Sequence, residues 1–251
     1  MPTLMNMPID AVTMDTAVDR VVDGIAHRRG GTVLTPNIEI LRQYRLSPSL
    51  RAVFAHTDLL VADGMPLVAA LRLQGTPVPE RITGTDLLWA LCGAAASAGY
   101  SVMLAGGHPG ESERAAVRLR NEFPQLRAET YPCFVQPDNE AVELAKLRGK
   151  VVAAAPNIVF IGLPFRTQVS LMSELREMLP ATWFVGVGST FELVNGDRTR
   201  PPRWLQVICL EWAWRLSQQP GMWRRYLVDG MPIAARMGAS ALRTRWRRSL
   251  S

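Results

Sequence analysis

The sequence predicts an α/β protein with a largely parallel sheet, on three observations. Short apolar runs that end in small or polar residues recur along most of the chain, and longer segments with helical spacing separate them. No run of about 18 apolar residues breaks the alternation, so no membrane span is expected. Strands alternating with helices pair in parallel, because each helix carries the chain back across the sheet. With 251 residues, 48% of them hydrophobic, the chain can bury one large domain or a domain with an appendage.

Taken in order, the runs 32–34, 59–62, 102–105, 158–161 and 183–187 read as strands, and 38–46, 86–98, 111–123 and 168–178 as helices. The run ending at Ala105 is followed by Gly106-Gly107-His108-Pro109-Gly110 and then Glu111, a strand, a glycine turn and a helix start. Such a turn can bring the backbone N–H groups of Gly106 and Gly107 near a diphosphate. It is not G-x-G-x-x-G, so the dinucleotide fingerprint is absent. After Pro201-Pro202 only helical patterns remain, over 204–217, 221–229 and 233–248, and the closing arginine run 243–248 is expected to be only partly ordered. A boundary near residue 196 therefore separates an α/β domain, 1–195, from a C-terminal all-helical basic appendage, 196–251. The expected architecture is a Rossmann-like sheet covered by helices, with that appendage added.

The formal net charge of +6 is unevenly spread: the segment 196–251 holds eleven Arg against three carboxylates and carries +8, leaving −2 on the rest. Five of the seven tryptophans lie in the same segment. Arg and Trp together on short helices suit an anionic membrane surface. A nucleic-acid partner is not expected, because the remainder is negative and no nucleic-acid motif is present. Cys92, Cys133 and Cys209 are scattered and form no C-x-x-C or Cys/His cluster, which argues against a disulfide framework or zinc site and for a reducing compartment. Residues 1–10 lack the basic and apolar regions of a signal peptide, so a cytoplasmic location is expected. His27, His56 and His108 have no metal spacing, and no G-x-S-x-G elbow supports a hydrolase.

The most informative stretch is Thr57-Asp58-Leu59-Leu60-Val61-Ala62-Asp63-Gly64-Met65-Pro66, in which an apolar run delivers Asp63 into a tight turn. That is a strand's carboxyl end, where open α/β sheets hold their ligands. Asp63 is a candidate base; capping of a helix beginning near Met65 is the alternative. Thr35-Pro36-Asn37 offers short polar side chains for ligand hydroxyls or phosphate oxygens, with turn and N-cap chemistry as its alternative. Arg81, in Pro79-Glu80-Arg81-Ile82-Thr83-Gly84-Thr85-Asp86, can grip a phosphate bidentately or pair with Glu80 or Asp86. Thr83 and Thr85 read as helix-start residues. No D-x-D motif is present to hold a divalent metal, so arginines are the better candidates to neutralise a bound phosphate.

These blocks, in this order, resemble the WecG/TagA/CpsF glycosyltransferases, glycosyltransferase family 26. Thr35 and Asn37 match a T-x-N motif that lines the substrate pocket, Asp63 the family's proposed general base, and Arg81 an E-R-x-x-G element. In Gly162-Leu163-Pro164-Phe165-Arg166-Thr167-Gln168-Val169 the best fit aligns Gln168 with the glutamine of P-K-Q-E, while Arg166, Thr167 and Val169 replace the other three; a second alignment through Pro164 loses the glutamine too. Gly186-Val187-Gly188-Ser189-Thr190-Phe191-Glu192 resembles G-x-G-x-x-F-D, with Glu192 placed to accept a hydrogen bond from a uracil N–H.

The tail follows the same order. Arg200-Pro201-Pro202-Arg203-Trp204 resembles R-A-P-x-W, and Leu210-Glu211-Trp212-Ala213-Trp214-Arg215-Leu216 resembles L-E-W-x-x-R-L. Gln219-Pro220-Gly221-Met222-Trp223-Arg224-Arg225-Tyr226 resembles E-P-x-R-x-x-R-Y, with Gln219 in place of the acid. The resemblance implies an inverting transferase that moves an N-acetylhexosamine-type sugar, such as N-acetylmannosamine, from a UDP-sugar donor to a polyprenyl-diphosphate-linked glycolipid acceptor. It implies work at the inner face of the cell membrane, no cofactor, and Arg215, Arg224 and Arg225 reaching substrate phosphates as the tail closes. The altered P-K-Q-E block leaves open a non-catalytic nucleotide-sugar or lipid-diphosphate binding protein. A homo-oligomer also stays open, since apolar helix residues serve an interface or a core equally.

Overall fold

The structure is a computed structural model that describes residues 2–197, 201–202, 205, 210–218, 221 and 223–249, with the side chains of Arg215, Arg225, Tyr226, Arg248 and Ser249 outside the described set. It opens with a hairpin of two short antiparallel strands, β1 (Thr3–Leu4) and β2 (Met7–Pro8). Met5 and Asn6 turn between them at φ 50° and 70°, the left-handed geometry that two-residue hairpins favour. Helix α1 (Met14–Ala26) follows, then β3 (Gly31–Leu34), α2 (Ile38–Leu46), α3 (Pro48–Ala55), β4 (Leu59–Leu60) and α4 (Met65–Leu73). The middle of the chain gives α5 (Gly84–Ala98), β5 (Ser101–Gly106), α6 (Glu111–Glu122), β6 (Arg127–Tyr131), α7 (Glu140–Ala154) and β7 (Ile158–Gly162). The rest comprises α8 (Phe165–Met178), β8 (Trp183–Gly186), α9 (Thr190–Asn195), α10 (Glu211–Gln218), a π-helical segment Arg224–Gly230 and α11 (Met231–Ser249).

Strands β3 to β8 form one six-stranded sheet in the order β4-β3-β8-β7-β5-β6, every pairing parallel. All five expected strands are present. All residues of β3, β7 and β8 are buried, as expected when helices cover both faces. The two-residue period divides the core. Leu34, Leu60, Met103, Val159, Ile161 and Phe184 pack against α2, α3, α4, α7, α8 and α11, whereas Val33, Leu59, Leu104, Phe160, Trp183 and Val185 pack against α1, α5, α6 and α9. The left-hand edge is closed by Asp10: its N–H donates to the Leu60 carbonyl (2.7 Å), and its carboxylate accepts the Leu60 N–H (2.8 Å).

One strand lies beyond the expected set, and one expectation is corrected. The edge strand β6 carries only one buried side chain, Ala128, so Arg127-Ala128-Glu129-Thr130-Tyr131 has no apolar run to reveal it. The closing arginine run is not loose, because α11 continues as helix to Ser249. That helix docks through Ile233, Met237 and Ala241, at i, i+4 and i+8, which join the same buried cluster as α4.

Candidate active site

A cleft of about 750 Å³ opens at the carboxyl ends of β3, β4, β7 and β8. The register of the sheet assembles its first wall. Leu34 lies beside Leu60, so the segments that leave β3 and β4 run together: Val61 N–H donates to Leu34 O (3.0 Å) and Asp63 N–H to Pro36 O (3.0 Å). Ile82 N–H then donates to Ala62 O (3.1 Å), which adds Arg81 and Thr83 to the same wall. Three motifs separated by tens of residues are thus stitched into one surface by backbone hydrogen bonds.

Asp63 is half-buried and lines the cleft. The N-cap of α4 is Gly64, at φ +103° and without a side-chain cap bond, so the capping role weighed for Asp63 is not that of the N-cap residue. Thr35 is buried at the cleft wall, and its hydroxyl and that of Thr190 face Gly84, where a Cβ would stand 3.4 Å from each. Asn37 does perform the N-cap chemistry weighed for it, its Oδ1 accepting from Glu39 N–H (3.0 Å) and Ile40 N–H (3.1 Å) while the residue lines the cleft. The ion pair that Arg81 makes is with a residue of the tail. Its guanidinium meets Glu211 of α10 at 3.0 Å, both side chains largely covered. Thr83 caps α5, accepting from Asp86 N–H at 3.0 Å, as a helix-start residue should.

The glycine turn after β5 is arranged differently from the diphosphate cradle its sequence suggests. Gly106 pairs with Gly162 inside the sheet, so closely that a Cβ would lie 2.5 Å from Gly162 O. Gly107 lines the cleft but donates its N–H to Gly162 O (2.8 Å), and the His108 N–H goes to the Glu111 carboxylate (2.9 Å). Both N–H groups are used within the protein, and Glu111 brings negative charge to the turn.

Gln168, 4% exposed in the first turn of α8, braces the opposite wall. Its Oε1 accepts from Gly188 N–H (3.0 Å), and its Nε2 lies so near Gly186 that a Cβ there would be 2.2 Å away. Glu192, on α9, lines the cleft beyond this turn.

Sequence reasoning missed several lining residues. Glu39 and Arg42 of α2 form a bidentate pair (2.8 and 3.0 Å), and the hydrogen bond to Glu39 raises the Arg42 pKa, with the Asp229 charge adding to it. Their i, i+3 spacing directly after Asn37 was the available signal. His108 and Phe134 meet with ring centroids 4.3 Å apart, giving the cleft an aromatic wall. Cys133 lies beside them; burial, with Glu143 adding to it, pushes its thiol up to about 11, so it is neutral and inert at pH 7.

Among the described lining residues the carboxylates are Glu39, Asp63, Glu111, Glu192, Glu211 and Asp229, against two arginines, Arg42 and Arg81, each already ion-paired. No cluster of three or more His, Cys, Asp or Glu among the described residues could hold a metal. The tail contributes Pro201, Glu211, Gln218 and Asp229 to the cleft. Arg224 is exposed and is not among the lining residues, while the side chains of Arg215 and Arg225 lie outside the described set, as do Arg200, Arg203, Trp204, Gln219 and Met222.

No described helix is long and apolar enough to cross a membrane. An N-acetylglucosaminyldiphosphoundecaprenol N-acetyl-beta-D-mannosaminyltransferase of Bacillus spizizenii is 28% identical over 199 residues, covering 79% of this chain and 76% of that protein. The model of the glycosyl transferase WecG/TagA/CpsF family matches residues 2–249. With that match spanning the sheet, the cleft and the tail alike, the chain belongs to the WecG/TagA/CpsF family and is a glycosyltransferase.

Proposed function

We propose that the chain transfers an N-acetylhexosamine-type sugar, such as N-acetylmannosamine, from a UDP-sugar to a sugar carried on a polyprenyl diphosphate, with inversion, during synthesis of a cell-wall polymer or exopolysaccharide. Residues 1–195 form the catalytic unit, and the appendage 196–251 holds the protein peripherally on the inner face of the cell membrane. The observation that carries this reading is the backbone-stitched wall of Thr35, Asn37, Asp63 and Arg81 at the carboxyl ends of a parallel sheet. The name of the Bacillus spizizenii relative supports the acceptor and the sugar.

In this reading Asp63 takes the proton of the acceptor hydroxyl as its oxygen attacks the anomeric carbon from the face opposite UDP. The bond from that carbon to the phosphate oxygen breaks, its electron pair leaving with UDP, and Asp63 returns the proton to solvent. Thr35, Asn37 and Gln168 bind sugar hydroxyls, and Glu192 accepts from the uracil N–H. Gly107 supports the turn by which Glu111 enters the cleft, and Gly106 the strand behind it.

Charge decides where the diphosphates go. A cleft whose described carboxylates outnumber its arginines, with both arginines paired, repels a diphosphate until further cations arrive. Arg215, Arg224 and Arg225 are the source, brought to the phosphates with Arg81 when the tail closes over the cleft at the membrane. The test is acceptor mass gain by full-length protein given a panel of UDP-, GDP- and dTDP-sugars, a short-chain polyprenyl-diphosphate-GlcNAc acceptor and anionic lipid. One N-acetylhexosamine is gained from a UDP donor. Asp63→Asn lowers turnover by about 10²–10⁴-fold while UDP affinity stays within about threefold. A fully active Asp63→Asn enzyme removes the base assignment, and no gain from any donor removes the reaction.

A further inference from the structure

A second depression, of about 320 Å³, lies between the β1–β2 hairpin, the end of α2 and α11. Among the described residues it shares no lining with the cleft: Met5, Asn6, Arg45, Arg236, Ser240 and Arg243 surround it. Half of that described lining is arginine and none of it is acidic. None of the three guanidinium groups forms an ion pair with a described residue, so the fold gathers three cations without neutralising them. Mutual repulsion makes such a groove a standing site for an anion.

The periodicity of α11 shows which way the groove faces. Ile233, Met237 and Ala241 are its buried stripe, and Arg236, Ser240 and Arg243, at i, i+4 and i+7, form a second stripe on its flank. Beyond that flank come Ala235, Ala239, Leu242 and Trp246 at the same spacing, with Leu242 55% and Trp246 68% exposed. The other wall ends in Leu46, 70% exposed beside Arg45. A basic groove is thus rimmed by large apolar side chains, a combination that a soluble anion would not use.

We propose that this groove binds the phosphate head group of an anionic membrane lipid, with Arg45, Arg236 and Arg243 contacting phosphate oxygens, Ser240 adding a hydroxyl donor, and Leu46, Leu242 and Trp246 entering the head-group boundary. The proposal rests on the reading that the enzyme works at a membrane, and it assigns the contact to one groove instead of to the basic tail at large. Because Asn6, α2 and α11 all contribute, docking there fixes the orientation of the sheet to the bilayer.

The test is co-sedimentation of full-length protein with vesicles of phosphatidylcholine, alone or with an equal part of phosphatidylglycerol. The wild type binds the mixed vesicles and not the neutral ones. The triple variant R45Q/R236Q/R243Q loses roughly a hundredfold in affinity, on the usual contribution of a basic residue near an anionic surface. The control R28Q/R127Q/K150Q removes equal charge from exposed positions elsewhere and binds within about threefold of wild type. L242S/W246S weakens vesicle binding with all the arginines in place. Equal losses in the two triple variants would reduce the effect to net charge and overturn the groove. Wild-type binding by the groove variant would overturn it directly, and displacement from vesicles by millimolar glycerol 3-phosphate would assign the site to a free phosphate ester. Thermal midpoints matching wild type confirm folding of each variant. Acceptor mass gain by the wild-type enzyme in the lipid-containing assay reports the transfer reaction, and co-sedimentation of the variants reports the groove, so either result can fail without the other.

Discussion

Asn37 shows how one side chain serves both fold and site. Its Oδ1 caps α2 through two N–H groups while the residue lines the cleft. Asn37→Asp keeps the capping oxygen and removes the amide donor, whereas Asn37→Ala removes both. Urea unfolding should therefore place Asn37→Asp near wild type and Asn37→Ala about 1 kcal/mol below it, while transfer activity falls in both. Unchanged activity in Asn37→Asp would confine the residue to capping.

Cys133 gives a pH-dependent counterpart. Its folded pKa of about 11 lies above the ordinary thiol value of 9.0, so its stabilising effect is complete below pH 9 and is lost as pH rises through 11. The stability difference between wild type and Cys133→Ala should narrow over that interval, by roughly 1.4 kcal/mol per pH unit at most. At Gly186 the limit is steric: Gly186→Ala sets a Cβ 2.2 Å from Gln168 Nε2, and should displace Gln168 from Gly188 and lower turnover more than it lowers the melting temperature.

At the scale of elements, what the sequence revealed follows from how each segment is covered. Strands β3, β5, β7 and β8 are buried on both faces and read as apolar runs, and Ile38–Leu46 shows helical spacing with its cap directly before it. The edge strand β6 and the β1–β2 hairpin are too polar or too short to show any period. Asp63, Thr35, Asn37 and Arg81 were legible because each stands in a compact motif at a strand end or loop. Glu111, Asp229 and the His108–Phe134 pair were not, because only strand order brings them to one cleft. Asp10 was missed for the same reason, as its meaning depends on Leu60, fifty residues away. Asp10→Ala leaves the Leu60 N–H without that acceptor at the sheet edge, and chemical denaturation should show a loss of about 1–3 kcal/mol.

Across the whole molecule, the tail is joined to the α/β unit in two chemically different ways. Arg81 and Glu211 form a polar tie at the cleft, whereas Ile233, Met237 and Ala241 make an apolar one against α4. The polar tie suits exchange, since a diphosphate can compete with Glu211 for the guanidinium. The apolar tie suits permanence. Met237→Ala should cost about 2–5 kcal/mol of stability. Glu211→Gln should change stability little but tighten UDP binding, because it removes a carboxylate charge from beside Arg81; unchanged affinity in isothermal titration would show that the pair does not compete with the ligand.

The strand order also sets a timetable for synthesis. Among the described strands β8 alone links the β4-β3 pair to the β7-β5-β6 group, yet it is the last of the six to be translated. Until it emerges, the nascent chain holds two half-sheets with β3 and β7 exposed as open edges. At 5–20 residues per second the β3 edge, counted from the end of β4, waits roughly 6–25 s for its partner, and the β7 edge roughly 1–5 s. Ribosome-bound chains stopped before Trp183 should therefore recruit chaperones and resist refolding on their own, and no cleft exists for a sugar nucleotide until that final insertion.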